Sequence, residues 1–365
     1  MIWWNIYLVV FLFSAFLSLV LTPVFKKVAI WTNTVDKPAT QNHKNHKKAT
    51  PLMGGLAMCI SWLITITIGI YAPFFLKIQN LPQVIIDNLS GVFQVENRLV
   101  AIMIGAILIT VLGFIDDRSG MSAKLKLIGQ IVITAFVVIY GELTISLFIN
   151  IPFINELLAI IWIVTIINAI NFFDNMDGLA VGISSIAFLF FTLTSMIFSH
   201  YFVACIGAAG FGVTLGFWFY NHTPASIFMG DSGSHFLGYI LGIMGTLTTF
   251  YQEGFTVTPL SVLVPIFILG IPLFDLISVV IIRMKAGEPI YIGDNNHISH
   301  RFNKMGMSRK NAVFSVHLLS IIISLSVLPM LWGGRLTVTV CLLQACIILL
   351  LISILQYHTR NTNKD

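Results

Sequence analysis

Charged residues are scarce in this 365-residue chain: Asp, Glu, Lys and Arg make up 10% of it, whereas soluble proteins carry about 25%. Apolar residues make up 57%, and the mean hydropathy is +0.92. That much apolar surface cannot be buried inside water-soluble domains of this size. The composition excludes a soluble nucleotide-binding fold and a disordered chain, and it predicts an integral membrane protein. The small basic excess, 20 Lys and Arg against 15 Asp and Glu, also excludes a nucleic-acid binder.

Cysteine is rare as well, and its four copies lie in apolar runs without a CxxC pair, which excludes a zinc site or a disulfide framework. The first residues lack the basic segment and cleavage site of a signal peptide, so we expect the first apolar run to remain as a spanning helix. The sequence also lacks the GxxxxGK[ST], HExxH and GxSxG motifs. Spaced glycines such as Gly212, Gly216 and Gly238 favour close helix packing over nucleotide binding.

Apolar runs of the length that crosses a bilayer, about 20 residues, occur about eleven times along the chain. They lie near 5–25, 52–75, 99–115, 125–142, 157–171, 179–198, 201–220, 233–250, 259–282, 312–331 and 336–356. The basic residues divide unevenly between the two sides of these runs, 17 against three. Because Lys and Arg accumulate on the cytoplasmic side, the N-terminus is predicted outside and the C-terminus inside. The fold class is therefore an all-α, polytopic membrane protein.

We expect a single transmembrane domain over residues 1–365, because no connection is long enough to fold alone. The candidate active-site loops on the cytoplasmic side are about 26–51, 116–124, 171–178, 221–232 and 283–311.

Carboxylates are concentrated in three successive cytoplasmic connections. Membrane orientation depends on Lys and Arg and does not explain this concentration. The carboxylates are Asp116, Asp117, Asp174, Asp177 and Asp231. Unit charges 4 Å apart repel by about 4 kcal/mol at an effective dielectric of 20, so a nearby cation is needed. Lys124 and Lys126 supply part of that charge, and oxygen ligands favour Mg²⁺, or Mn²⁺, over zinc. The alternative is that each Asp is a solvated loop charge or a helix cap.

Local patterns support the first interpretation. Asn171, Asp174 and Asp177 follow one another at intervals of three, which would align them on one face of a helix end. Asp231 lies in a glycine- and serine-rich segment, where a cation or phosphate can approach the backbone.

Two further segments carry donors for phosphate or sugar oxygens. The first is His297-Ile-Ser-His300-Arg301, and the second, from Asp36 to Gly55, contains Lys44 and His46. Either segment could instead be an ordinary surface loop, and the lysines of the second could reflect topology alone. Asp275 lies within a predicted span and is a functional candidate for that reason. His235 has no recognisable partner in the sequence, so we interpret it as structural.

Taken in order, these motifs resemble those of the polyprenyl-phosphate N-acetylhexosamine-1-phosphate transferases, which include phospho-MurNAc-pentapeptide translocase. The resemblance covers nearly the whole chain. It rests on residues 36–55, on Gly113-Phe-Ile-Asp-Asp117 followed by Ser122-Ala-Lys-Leu-Lys126, and on residues 171–179, 228–234 and 297–301. Eleven predicted spans and the His297-x-x-His300-Arg301 pattern favour the UDP-GlcNAc branch over the MurNAc-pentapeptide branch. Ser299 departs from the pattern, since many relatives have His there, and Glu288 departs where a polar or basic residue is common.

The resemblance implies transfer of a sugar 1-phosphate from a UDP-N-acetylhexosamine to undecaprenyl phosphate, with release of UMP, at the cytoplasmic face of the bacterial cytoplasmic membrane. It also implies the residue roles. Mg²⁺ would be bound by Asp231 and Asp174. The lipid phosphate would be acted on by Asp116, Asp117 and Lys124. The substrate would be bound by Asn171, Asp177, Phe228, His297, His300, Arg301, Lys44 and His46.

Alternatives remain open at this point. A UDP-MurNAc-pentapeptide donor would use the same chemistry, whereas a transporter or a membrane lipid phosphatase would be a different class of protein. A transporter predicts inverted repeats and several midplane charges, and the sequence has neither. A homodimer is possible.

Overall fold

The computed structural model describes residues 2–36, 49–75, 83–145, 151–248, 262–289 and 296–362. The elements in these ranges are α1 (Ile2–Trp31), β1 (Val35–Asp36), β2 (Thr50–Pro51), α2 (Gly54–Phe75), α3 (Gln83–Ser119), α4 (Ala123–Tyr140), α5 (Pro152–Phe173), α6 (Leu179–Ile197), α7 (Tyr201–Asn221), α8 (Gly230–Leu247), α9 (Val264–Ile268), α10 (Gly270–Ala286), α11 (Ile298–Lys304), α12 (Arg309–Leu325), α13 (Val327–Trp332) and α14 (Arg335–Thr362). The all-α prediction is confirmed.

Within these ranges, nine segments are long and apolar enough to cross a membrane, namely α1 to α7, the α12–α13 pair and α14. The other two predicted spans, near 233–250 and 259–282, fall on α8 and on the α9–α10 pair. Helix α8 begins with small and polar residues, and α10 has only 17 residues after the break at Leu269. The number of spans and their orientation remain predictions.

Helix α8 lies at the centre of the bundle, where 15 of its 18 residues are buried. Helices α2, α3, α5 and α6 pack around it. In contrast, only 17% of the residues in the spans of α1 and α14 are buried, so these two helices lie at the periphery. A central helix that is surrounded by protein does not need an apolar surface for lipid. This explains how α8 can carry Asp231 and His235.

Two glycines let neighbouring helices touch the first turn of α8. A Cβ atom at Gly55 on α2 would collide with the backbone of Gly233, and one at Gly113 on α3 would collide with the carbonyl of Asp231. Small residues at such contacts are typical of membrane helices. The predicted packing role of the spaced glycines is confirmed, since Gly238 also lies against the backbone of Ile167.

A short antiparallel ladder joins α1 to α2, with Val35 opposite Pro51 and Asp36 opposite Thr50. The Phe228 N–H donates to the Pro51 carbonyl at 2.8 Å, and the Gly54 N–H donates to the Phe228 carbonyl at 3.0 Å. The ladder therefore brings the start of α2 beside the segment that precedes α8. Lys44 and His46, which were predicted at this rim, lie outside the described residues.

Candidate active site

Lys126 on α4 is the centre of a polar cluster at one end of the bundle. Its Nζ lies 2.5 Å from Asp231 Oδ2 and 2.9 Å from Asp116 Oδ2. It also donates to Asn171 Oδ1 at 3.3 Å, and Asn171 Nδ2 donates to Asp231 Oδ1 at 2.7 Å. Side chains from α3, α4, α5 and α8 therefore converge, although Lys126 and Asp231 are 105 residues apart in the sequence.

Both Lys124 and Lys126 were predicted to supply charge to the carboxylates, and Lys124 was predicted to contact phosphate. In the structure the Lys124 side chain is exposed, whereas Lys126 contacts the carboxylates. Two residues along a helix of 3.6 residues per turn correspond to about 200°, so the two side chains face nearly opposite directions. The Ser122 hydroxyl accepts a hydrogen bond from the Leu125 N–H and caps α4. The cap fixes where the helix begins and thereby which lysine faces the cluster.

A second polar layer lies one helical turn deeper. Gln130 follows Lys126 on α4, His235 follows Asp231 on α8, and Asn168 precedes Asn171 on α5. Asn168 Nδ2 donates to Gln130 Oε1 at 2.7 Å, and Gln130 Nε2 lies 3.1 Å from His235 Nε2. Because Gln130 and His235 are fully buried, these bonds fix how the three helices are rotated against each other.

Asp116 and Asp117 have different contacts although they are adjacent. Asp116 accepts the Met121 N–H through Oδ1 at 2.6 Å and contacts Lys126 through Oδ2. Asp117 accepts the backbone N–H groups of Asp231 at 2.7 Å and Ser232 at 3.1 Å. Asp117 thus caps the amino end of α8 from another helix, because it accepts N–H groups that have no partner within that helix. Both residues lie on the last turns of α3, not in a loop.

Gly230 makes this contact between Asp117 and α8 possible. Its φ is +68°, and an added Cβ would lie 2.5 Å from Asp117 Oδ2. Glycine is the residue that adopts this left-handed conformation without steric cost.

The predicted alignment of Asn171, Asp174 and Asp177 along one helix face is wrong. Helix α5 ends at Phe173, Asp174 is its C-terminal cap, and Gly178 precedes α6 with φ +74°. The chain turns there, so Asn171 contacts Asp231 while Asp177 Oδ2 accepts the Ala225 N–H at 3.0 Å. Burial, followed by the charges of Asp231 and Asp177, raises the pKa of Asp174 to about 8.

Asp116, Asp117, Asp174 and Asp231, together with Lys126 and Asn171, form what is called here the carboxylate cluster. Asp116 and Asp231 contact the Lys126 ammonium group, Asp117 accepts backbone N–H groups of α8, and the charge of Asp231 acts on Asp174. In the described part of the chain, no three or more His, Cys, Asp or Glu side chains are arranged as a metal site of their own.

Asp177 and Phe228 border a second part of the site, next to the loop before α8. Asn221 joins the two segments, because its Oδ1 accepts the Gly178 N–H at 3.1 Å and its Nδ2 donates to the Ile227 carbonyl at 3.0 Å. Sequence reasoning missed Asn221. Its only sequence signal is a polar residue at the last position of an apolar helix.

The His297–Arg301 motif forms the start of α11 and lies next to the loop after α5. Ser299 Oγ donates to Asn175 Oδ1 at 2.6 Å, and Asn175 is the residue after Asp174. Burial, with the nearby His297, Arg309 and Lys304, lowers the pKa of His300 to about 4, so this ring is neutral at pH 7. His297 and Arg301 both contact the buried Asp275 on α10. The structure therefore brings the motif beside the predicted acidic loop.

Comparison with known proteins identifies similar chains. The model of Glycosyl transferase family 4 matches residues 99–249. A probable undecaprenyl-phosphate N-acetylglucosaminyl 1-phosphate transferase of Bacillus subtilis is 36% identical over 327 residues, which cover 87% of this chain and 83% of that protein. A decaprenyl-phosphate N-acetylglucosaminephosphotransferase of Mycobacterium leprae is 29% identical, over 80% of this chain and 76% of that protein. A phospho-N-acetylmuramoyl-pentapeptide-transferase of Halalkalibacterium halodurans is 31% identical, over 64% of this chain and 72% of that protein. At this identity and coverage, the chain belongs to glycosyl transferase family 4.

Proposed function

We propose that this protein transfers N-acetylglucosamine 1-phosphate from UDP-N-acetylglucosamine to undecaprenyl phosphate and releases UMP. An oxygen of the lipid phosphate attacks the phosphorus that carries the sugar, and the bond from that phosphorus to the bridging oxygen of UMP breaks. The product is a lipid-linked diphospho-sugar that can begin a cell-envelope polysaccharide. The relatives named above and the carboxylate cluster support this proposal. The single observation that carries it is the convergence of Asp116, Asn171 and Asp231 on Lys126.

The reaction joins two anions, so the site must supply positive charge. Lys126 provides one charge, and the remaining carboxylates fit a divalent cation because their oxygens are the ligands that Mg²⁺ prefers. Burial, followed by the charges of Asp231 and Asp177, raises the pKa of Asp174 to about 8, which supports a cation beside this carboxyl group. An incomplete protein site also suits Mg²⁺, which usually takes one or two carboxylates and completes its shell with water and substrate phosphates. When bound, Mg²⁺ would neutralise charge on the diphosphate and so lower the barrier to attack.

The residues of the cluster then have separable roles. Asp231 and Asp174 would hold the cation, and Mn²⁺ could replace Mg²⁺ there. Asn171 and Lys126 orient the Asp231 carboxylate through direct contacts. Asp117 orients the same residue through the backbone of α8, which is a positioning role and not that of a base. Asp116 contacts Lys126, and these two side chains would meet the lipid phosphate.

The nucleotide would lie along the neighbouring loops. Asp177 and Phe228 would contact the uracil, and His297, His300 and Arg301 would bind the diphosphate and sugar. Lys44 and His46 would complete the rim. The polyprenyl chain would lie in the bilayer against the bundle, and the site would face the cytoplasm of a bacterium within one transmembrane domain.

The test is an assay with the purified protein in lipid nanodiscs. The protein is incubated with UDP-[³H]GlcNAc, undecaprenyl phosphate and Mg²⁺, and the lipid product and UMP are identified by mass spectrometry. We expect equal amounts of UMP and lipid-linked sugar phosphate, and no turnover in EDTA. A panel with UDP-GalNAc and UDP-MurNAc-pentapeptide identifies the preferred donor. If a folded preparation forms no lipid-linked product from any of these donors, the proposal is wrong.

A further inference from the structure

Asp275 is a buried carboxylate that the reaction described above does not use. It lies on α10 and is 0% exposed, and its side chain contacts His297, Ile298 and Arg301 of the His297–Arg301 motif. His297 Nδ1 lies 2.7 Å from Asp275 Oδ2, the Ile298 N–H donates to Oδ1 at 2.7 Å, and Arg301 Nη2 lies 3.6 Å from Oδ1. A buried carboxylate is costly unless donors surround it, and here three donors do.

These contacts attach α11 to the bundle. Helix α11 has seven residues, and His297, its N-terminal cap residue, makes no capping bond through its own side chain. Asp275 takes over this function by accepting the first free N–H of the helix. A second bond, from Ser299 to Asn175, fixes the same short helix against the loop that carries Asp174 and Asp177.

The bond to Asp275 also determines which nitrogen of His297 carries the proton. An ionised carboxylate only accepts hydrogen bonds, so the hydrogen of the neutral ring lies on Nδ1. Nε2 is then the nitrogen that can accept a hydrogen bond, and the ring is held in one orientation. An orienting carboxylate of this kind acts through the histidine and does not need to touch the substrate.

We propose that Asp275 is a positioning residue for the transfer reaction: it fixes the tautomer and orientation of His297, so that Nε2 accepts a hydrogen bond from a hydroxyl or amide N–H of the donor sugar. The proposal rests on the function proposed above, because it assigns His297 to the donor substrate. It adds a role for a carboxylate that lies away from the carboxylate cluster and binds no cation.

The test is a double-mutant cycle on kcat/KM for the UDP-sugar. Asp275→Asn retains the shape of the side chain but has only one acceptor oxygen, so the bond to Nδ1 or to Ile298 is lost. We expect a loss of about 10- to 100-fold in the wild-type background, as is typical when an orienting partner is removed. In the His297→Gln background, the same substitution should cost less than about threefold, because the residue through which it acts is gone.

A matched cycle uses Phe228→Leu, which changes the site on a different segment. There the loss caused by Asp275→Asn should remain at about 10- to 100-fold. If Asp275 only stabilises the fold, Asp275→Asn should lower kcat/KM by the same factor in the His297→Gln background as in the Phe228→Leu background. That result would overturn the proposal.

A second measurement needs no change at Asp275. Nitrogen NMR of the ¹⁵N-histidine-labelled wild-type protein, with His297 assigned by the signal that His297→Gln removes, distinguishes the two tautomers. We expect the proton on Nδ1, and a proton on Nε2 of the neutral ring would overturn the proposal even if Asp275→Asn does not fold. The NMR result is independent of turnover. A wild-type protein with the expected tautomer and no transferase activity would therefore contradict the proposed function and not the contact.

Discussion

The two polar centres of this protein, the surroundings of Asp275 and the carboxylate cluster, differ in how many protein donors their carboxylates contact. At Asp275, one buried carboxylate receives a histidine, a backbone N–H and an arginine, so the protein supplies every partner that the charge needs. In the carboxylate cluster, Lys126 contacts only Asp116 and Asp231, and burial, followed by the charges of Asp231 and Asp177, raises the pKa of Asp174 to about 8. The first centre is complete without a ligand and fixes structure. The second is incomplete, and it is the place where we propose that a cation and the substrate phosphates bind.

Among the substitutions that test this difference, Asp231→Asn should have the largest effect on activity. We expect a loss of activity of about 1,000-fold, or roughly 4 kcal/mol of barrier, because a cation ligand and the partner of Lys126 are removed together. Initial rates of lipid-product formation measure the loss. Glu156→Gln is the control and should retain activity, because Glu156 is the fifth residue of α5 and lies near the other end of the helix from Asn171. A rate within about twofold of wild type for Asp231→Asn would show that it is not a ligand.

Lys126 and Lys124 form a matched pair with the same charge, two residues apart. Lys126→Gln should lower kcat by about 100-fold, because the carboxylates of Asp116 and Asp231 lose the ammonium group that bridges them. Lys124→Gln should change it by less than about threefold, as expected for an exposed side chain. Equal losses in the two variants would show that Lys124 binds phosphate, as the sequence resemblance implies.

Gly230→Ala tests the cap that Asp117 provides for α8. Alanine at φ +68° is strained, and its Cβ would displace the Asp117 carboxylate, so activity should fall by about tenfold. Gly287→Ala is the control, because Gly287 has nearly the same φ, +69°, but no atom within 4 Å of the added Cβ. Thermal unfolding and activity are measured for both. If the two variants lose activity equally, the contact with Asp117 has no role in positioning Asp231.

The smallest expected effect concerns stability and pH. The pKa of Asp174 is raised in the folded protein, so the unfolded state releases this proton first, and the residue destabilises the fold as the pH rises from about 4 to about 8. Asp174→Asn cannot ionise, and without divalent cations it should melt a few degrees above wild type at pH 8 and at the same temperature near pH 4. Melting curves in detergent with EDTA give the comparison. If the melting temperatures of Asp174→Asn and wild type differ by the same amount at both pH values, the raised pKa assigned to Asp174 is wrong.

Much of this site follows from sequence, because its residues lie where apolar runs end. Asp231, Asp174 and Asn171 were identified in this way, and the structure brings Asp231 and Asn171 into direct contact. Composition alone also predicts the all-α membrane fold.

The remaining features depend on three-dimensional packing that local sequence does not specify. The choice between Lys124 and Lys126 depends on the rotation of α4, and the role of Asp117 depends on the close contact of α3 with α8. Asp275 was recognised as unusual, but its contact with His297, 22 residues away in the sequence, was not predicted. The span count was difficult for a related reason, since α8 is shielded by other helices and therefore has no need of a fully apolar sequence.

The central claim is that the carboxylate cluster binds a divalent cation, and Mn²⁺ binding followed by electron paramagnetic resonance tests it most directly. The protein in nanodiscs is titrated with Mn²⁺ in the presence of UDP-GlcNAc, without lipid acceptor, so that no turnover is needed. The account predicts one bound Mn²⁺ per chain in the wild type, displaced by excess Mg²⁺, and at least about tenfold weaker binding in Asp231→Asn. Equal affinity in the wild type and in Asp231→Asn would contradict it.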